Sequence, residues 1–173
     1  CGKGIAMRAR GMGALTTIVE VNPLKALEAV LDGFNVMTMD QSAKVGDVFI
    51  TATGDLNVIS RRHFEVMRDG AILCNSGHFN SEIEIPALEE MSHEKVEVRP
   101  YVHAYHLPTK RIYLLAEGRL VNLSCAEGHP ASVMDMSFSN QALMLAHLVV
   151  HKDEFKGKVY PIASDIDEKV ARL

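Results

Sequence analysis

The sequence predicts an α/β fold built on a parallel sheet wound with helices, and three observations predict it. Short β-branched, apolar runs alternate with helical segments along residues 1–125. Three successive runs end in small, polar residues, the pattern of strand ends that face a ligand. The chain also opens on a helical stretch that passes through a glycine turn into a strand ending in an acid.

That opening runs from Gly2 to Glu20. Residues 3–12 are good helix formers, and Gly11 and Gly13 stop the helix. Thr16 to Val21 is β-branched and apolar, which predicts a buried, central parallel strand. Glu20 stands at its end, 18 residues after Gly2, close to the spacing at which an acid meets the ribose hydroxyls of an adenine nucleotide. The stretch reads as the second half of a dinucleotide-binding βαβ unit, with its first strand and first two glycines upstream of Cys1. The expected architecture is a Rossmann-like doubly wound parallel sheet lacking its first strand, in a piece of a longer polypeptide; a complete small protein with a helical start is the other reading. Lys25 is the nearby cation, which favours a cofactor without a 2′-phosphate. A surface acid at a strand end is the competing reading of Glu20.

Pro23 begins a helix through Leu31, and Gly33 ends it. Phe34–Met37 is a strand, Asp40–Lys44 a brief helix, and Asp47–Ala52 a strand expected to be buried on both faces. Thr51–Asn57 follows as a small polar turn. Its hydroxyls and amide can bond a cofactor, although an ordinary strand-to-helix turn reads the same way. A helix over 59–67, a turn at Asp69-Gly70 and a strand over 71–74 lead to Asn75-Ser76-Gly77-His78-Phe79. There His78 is a pocket candidate, against a purely structural histidine. A helix over 84–91 and three short strands, 96–99, 101–107 and 111–115, complete the region. His103 and His106 lack a third ligand at metal spacing, so no metal site is expected.

Asn122, flanked by apolar residues, reads as a buried amide with a set partner. A domain boundary is expected here, giving 1–125 as the nucleotide-binding domain and 126–173 as a hinge, a long helix and a C-terminal segment. Gly128-His129-Pro130 opens the helix, 132–150, with an apolar stripe of Val133, Met136, Ala142, Leu145 and Leu148. His129 stands at its N-terminus, where anions are favoured. The chain ends within a short charged helix.

Composition narrows the function. With 173 residues, 47% hydrophobic, and 22 Asp/Glu against 18 Lys/Arg, the chain is mildly acidic and carries no basic stripe for nucleic acid. Arg8 with Arg10 and Arg61 with Arg62 read as solvated pairs. No apolar run reaches membrane-spanning length. Cys1, Cys74 and Cys125 form no disulfide framework, and a reducing cytoplasm fits; Cys74 reads as a small buried hydrophobe.

Taken together, the Gly2–Glu20 segment, Thr51-Ala52-Thr53-Gly54-Asp55, Asn75-Ser76-Gly77-His78-Phe79-Asn80, Glu117-Gly118-Arg119-Leu120-Val121-Asn122 and Gly128-His129-Pro130 resemble the S-adenosylhomocysteine hydrolases over essentially the whole chain. The resemblance implies reversible cleavage of S-adenosylhomocysteine to adenosine and homocysteine. Bound NAD oxidises the 3′-hydroxyl, the acidified 4′ hydrogen is lost, homocysteine leaves, water adds, and reduction restores the hydroxyl. It implies Gly2 under the pyrophosphate, Glu20 on the NAD adenosine ribose with Lys25 nearby, and Thr51, Thr53 and Asn57 lining the cleft. Ser76, Gly77 and His78 would lie near the nicotinamide and substrate ribose. Asn122 would hold the nicotinamide carboxamide, and His129 would meet substrate when the domains close. It further implies an upstream substrate domain carrying the main acid–base residues, and assembly into dimers or tetramers, the tetramer being expected here. Asn22 stands where that family usually has Asp. A 2-hydroxyacid dehydrogenase and a non-catalytic NAD-binding regulatory module are the alternatives; the first would need an Arg and an acid–His pair that are not evident.

Overall fold

A computed structural model of the protein describes residues 1–172. It divides into two compact units, Cys1–Ala126 and Glu127–Leu173. In the first unit the order is α1 (Gly2–Gly11), β1 (Thr17–Val19), α2 (Pro23–Leu31), β2 (Asn35–Met37), α3 (Met39–Ser42), β3 (Val48–Thr51), α4 (Arg61–Val66), β4 (Ala71–Asn75), α5 (Ile85–Met91), β5 (Glu94–Arg99), β6 (Val102–His106), β7 (Arg111–Leu115) and α6 (Val121–Ser124). The second contains α7 (Ala131–Val150) and α8 (Ser164–Ala171).

The α/β class and the parallel winding are as expected. β1 pairs in parallel with β2, and β3, β4 and β7 are successive parallel neighbours. The larger sheet, in the order β3-β4-β7-β6-β5, is mixed rather than wholly parallel, because β6 runs antiparallel to both β7 and β5. Chain length explains this. Only Pro100 and Tyr101 separate β5 from β6, and a parallel return needs a crossover of a dozen residues or so.

The core is built from alternate strand residues and the helices over them. Phe49, Leu73, Ile112, Leu114 and Tyr105 pack with Phe64 of α4, Leu88 of α5, Ile59 and Ile83. β3 is not buried on both faces: Phe49 and Thr51 are buried, while Val48 and Ile50 are 55% and 43% exposed. Likewise β1 is only half-buried, and it has one strand neighbour among the described residues.

Local chemistry sets the helix ends. Asn22 caps α2, its Oδ1 accepting from Leu24 N at 3.0 Å and Lys25 N at 3.3 Å, with Pro23 in the first turn. Gly33 takes φ +80° just past the end of α2. Arg10 is exposed, as expected of a solvated cation, and it also donates to Asp32 O at 2.7 Å and lies 4.1 Å over the Phe34 ring, tying α1 to the end of α2. Arg61 pairs with Glu90, and its backbone N–H donates to Glu84 at 2.8 Å.

In the second unit, α7 begins as expected after Pro130. Its apolar stripe does not reach a core. No α7 residue is buried, and Val133, Met136 and Leu145 are all exposed. α8 packs on it through buried Ile166 and Val170, with Asn140 donating to Asp167 at 3.1 Å.

Candidate functional site

Parallel strands bring their carboxyl ends to one edge, and three of them meet here. After β3 comes the turn 52–57, after β4 the turn 76–79, and after β7 the segment 116–122. Ser76 ties the first two together, its backbone N–H donating to Thr51 O at 2.9 Å and its hydroxyl to the same oxygen at 3.2 Å. Asn75 ties the second to the third. Its side chain is fully buried; Nδ2 donates to Phe79 O at 2.6 Å and Gly118 O at 2.9 Å, and Oδ1 accepts from Gly77 N at 2.7 Å. A parallel bridge between Asn75 and Leu120 continues the contact toward Asn122.

Glu82 closes the arrangement. It is 1% exposed, and Oε2 accepts from the Thr53 backbone N–H at 2.8 Å and the Thr53 hydroxyl at 2.5 Å. Its backbone oxygen accepts from Ile59 N at 3.0 Å, while Ser81 O accepts from Asn57 N at 2.8 Å. Gly77 fits because it has no side chain: a Cβ there would come 2.8 Å from Glu82 Oε1 and 3.0 Å from Asn75 Oδ1. Ala116 and Glu117 hold left-handed φ values of +54° and +52°, conformations that non-glycine residues adopt at a cost and that cluster at functional sites.

The edge offers ligand-binding groups more than reactive ones. Thr51 Oγ1 is buried, with no hydrogen-bond partner among the described residues. Gly54, at φ +73°, has open space around it. Cys74 is as buried as expected, and burial pushes its thiol up to about 11, so it is not a poised nucleophile. Among the described residues no cluster of three or more metal-ligating side chains occurs.

The sequence-predicted residues distribute unevenly. Thr51, Thr53, Ser76 and Gly77 come together at this edge, with Asn57 at the end of its turn in a left-handed conformation. His78 is exposed, edge-on to Phe79 with 5.1 Å between ring centres. Asn122 lies in the first turn of α6, only half-buried, and its side chain makes no hydrogen bond among the described residues; the set partner expected of it is not there. Glu20 and Lys25 stand apart, at the end of β1 and the start of α2, with no hydrogen bond to the cluster. Glu20 Oε1 accepts from Asn22 N at 2.8 Å, which fixes its carboxylate, and Lys25 is exposed. Gly2 is the first residue of α1, exposed and uncrowded. His129 is exposed in the second unit, between Gly128 at φ +74° and Pro130.

Two residues at the centre went unassigned in the sequence. Asn75 had a legible signal: it shares parity with buried Ala71 and Leu73, so period-two alternation sends its amide to the core face. Glu82 had none, because it sits in the polar run Asn80-Ser81-Glu82, which reads as surface.

Residues 1–128 match the family described as S-adenosyl-L-homocysteine hydrolase, NAD binding domain. The chain belongs to that hydrolase family. Among hydrolases similar to it, the adenosylhomocysteinase of Aquifex aeolicus is 64% identical over 174 residues, covering 100% of this chain and 42% of the relative. That of Archaeoglobus fulgidus is 57% identical over 173 residues, covering 100% and 43%. That of Gloeobacter violaceus is 52% identical over 174 residues, covering 100% and 41%. The chain thus spans about 42% of the length of the hydrolases it matches. Family membership takes the reading away from the 2-hydroxyacid dehydrogenases.

Proposed function

We propose that this chain is the NAD-holding part of an adenosylhomocysteinase, whose full-length form converts S-adenosylhomocysteine and water reversibly to adenosine and homocysteine. The observation that carries the reading is the shared carboxyl edge. Three strand ends are hydrogen-bonded into one frame there, and the frame leaves the Thr51 hydroxyl buried, with no partner among the described residues. The same frame sets Thr53, Ser76 and Gly77 side by side at the strand ends, small polar residues of the kind that line a site for a polar cofactor. Bound NAD supplies reversible oxidation of the substrate 3′-hydroxyl.

The chain's own residues bind and orient. The N-terminus of α1 at Gly2, with no side chain and no close neighbour, suits the pyrophosphate. Glu20, its carboxylate steadied by the Asn22 N–H, suits the adenosine ribose, with Lys25 beside it. Thr51, Thr53 and Asn57 line the cleft, Ser76, Gly77 and His78 face the nicotinamide and substrate ribose, and Asn122 holds the carboxamide. That role suits an amide whose side chain makes no hydrogen bond among the described residues. His129 meets substrate as the domains close. Residues 1–125 form the NAD-binding domain, and residues 126–173 the hinge, long helix and C-terminal segment.

The rest of the full-length protein supplies the substrate domain and a first strand lying between β1 and β3. Support for that strand comes from two edges: β1 pairs only with β2 and β3 only with β4 among the described residues. Assembly as a homotetramer in the cytoplasm completes the proposal; no described helix is long and apolar enough to cross a membrane.

Calorimetric titration of the full-length protein with NAD, followed by assay of adenosine release from S-adenosylhomocysteine, tests the reading. Binding and turnover are expected, and Asn122→Ala should weaken NAD binding about ten-fold, the loss of one or two hydrogen bonds. Failure to bind NAD overturns the proposal. Binding without adenosine release would instead make the protein a non-catalytic NAD-binding module.

A further inference from the structure

We propose that Glu82 is a positioning residue for the NAD site, acting through Thr53 to hold the loop after β3 at a fixed distance from the loop after β4. The inference rests on the NAD-binding reading above.

Four observations converge on it. Glu82 is buried at the carboxyl edge, where an acid without a cation needs a reason. Both donors of Thr53, its N–H and its hydroxyl, converge on the single oxygen Oε2, at 2.8 and 2.5 Å. The second distance belongs to the short, strong class of O–H···O bonds. Oε1 lies against Gly77, 2.8 Å from the point a Cβ would occupy, so one carboxyl group spans the two loops. The backbone on either side of it is also engaged, Ser81 O accepting from Asn57 N and Glu82 O from Ile59 N. The turn 53–57 is therefore held at both ends by residues 81–82. The Thr53 hydroxyl donates to Glu82 and accepts from Asp55 N at 3.1 Å, so its rotamer is set from both sides. Glu82 then determines which way the threonine presents its methyl group and its remaining lone pair to the cleft.

The role is separable from mere stabilisation by coupling. A residue that acts through Thr53 loses part of its influence on NAD binding once the Thr53 hydroxyl is gone, the bond from the Thr53 N–H remaining, whereas a residue that only supports the fold keeps all of it. The full-length protein carrying Glu82→Gln, Thr53→Val, or both is titrated with NAD, and thermal unfolding is followed in parallel. The glutamine keeps the shape and one accepting oxygen but brings two donors of its own, so it preserves packing while disturbing the Thr53 orientation.

Each single substitution should weaken NAD about ten-fold, the worth of one hydrogen bond to an acidic side chain. The double substitution should weaken it by clearly less than the product of the two single losses. Losses that multiply in the double variant overturn the proposal. So does a Glu82→Gln protein that melts lower than wild type yet binds NAD as tightly. If Glu82→Gln does not fold, Glu82→Asp is used with the same coupling criterion; it keeps the carboxyl group and shortens its reach. Wild-type protein that binds no NAD would refute the cofactor reading itself, an outcome distinct from wild-type binding that Glu82 fails to influence.

Discussion

A methyl group on Gly77 would have to displace two buried polar side chains at once. Glu82 Oε1 and the Asn75 amide both lie within 3.3 Å of where it would sit, and neither is the loose end of a surface chain. Each is held by its own hydrogen bonds, Glu82 by Thr53 and Asn75 by Phe79 O, Gly118 O and Gly77 N. Gly77→Ala should therefore destabilise the full-length protein by about 1–3 kcal/mol, the usual cost of overpacking, read as a lower urea midpoint at unchanged slope. An unchanged midpoint would mean that the frame yields. This scale is where the sequence was least legible. Asn75 could be placed by strand parity, but Glu82 could not, because its burial depends on a loop 29 residues away.

At the scale of elements, the joint between α3 and α4 shows how one buried side chain makes stability depend on pH. His63 is 2% exposed. Its Nδ1 accepts from Ser60 N at 2.9 Å, so the proton is on Nε2, which donates to Asp40 Oδ1 at 3.0 Å. Burial lowers its pKa against the opposing pull of Asp40, and Arg62, 3.3 Å from Asp40, pushes the same way as burial. A histidine held neutral in the fold contributes stability that is present above its unfolded value of about 6.5 and is lost as pH falls through the folded value. Urea unfolding at about pH 7.5 and about pH 5.5 should show wild type losing more stability than His63→Gln across that interval. Equal losses would contradict the assignment.

The elements themselves were largely legible. β-Branched runs marked the strands, and Asn22-Pro23 and Gly33 marked the ends of α2. Periodicity could not show that β6 runs antiparallel; the short connection at Pro100-Tyr101 held that information. Nor could it show that β3 has one open face, since Val48 and Ile50 are as apolar as a buried strand requires.

For the whole molecule, large apolar side chains stand exposed on several elements. Val48 and Ile50 on β3, Leu24 and Leu31 on α2, and Met136, Phe138 and Leu145 on α7 are all substantially exposed. The chain covers about 42% of the hydrolases it matches. The helix α7 was legible in the sequence but its packed face was not: Val133, Met136, Ala142, Leu145 and Leu148 are exposed, while Met134, Leu143, Met144 and His147 are half-buried, because apolar residues on several sides of the helix leave its periodicity ambiguous. The central claim is that the carboxyl edge of β3, β4 and β7 is where NAD sits. Backbone amide exchange of the full-length protein, with and without NAD, tests it most directly. Bound NAD should slow exchange in the segments 51–57, 75–80 and 117–122 and leave the β5–β6 hairpin unchanged; unaltered exchange in all three segments under saturating NAD would contradict it.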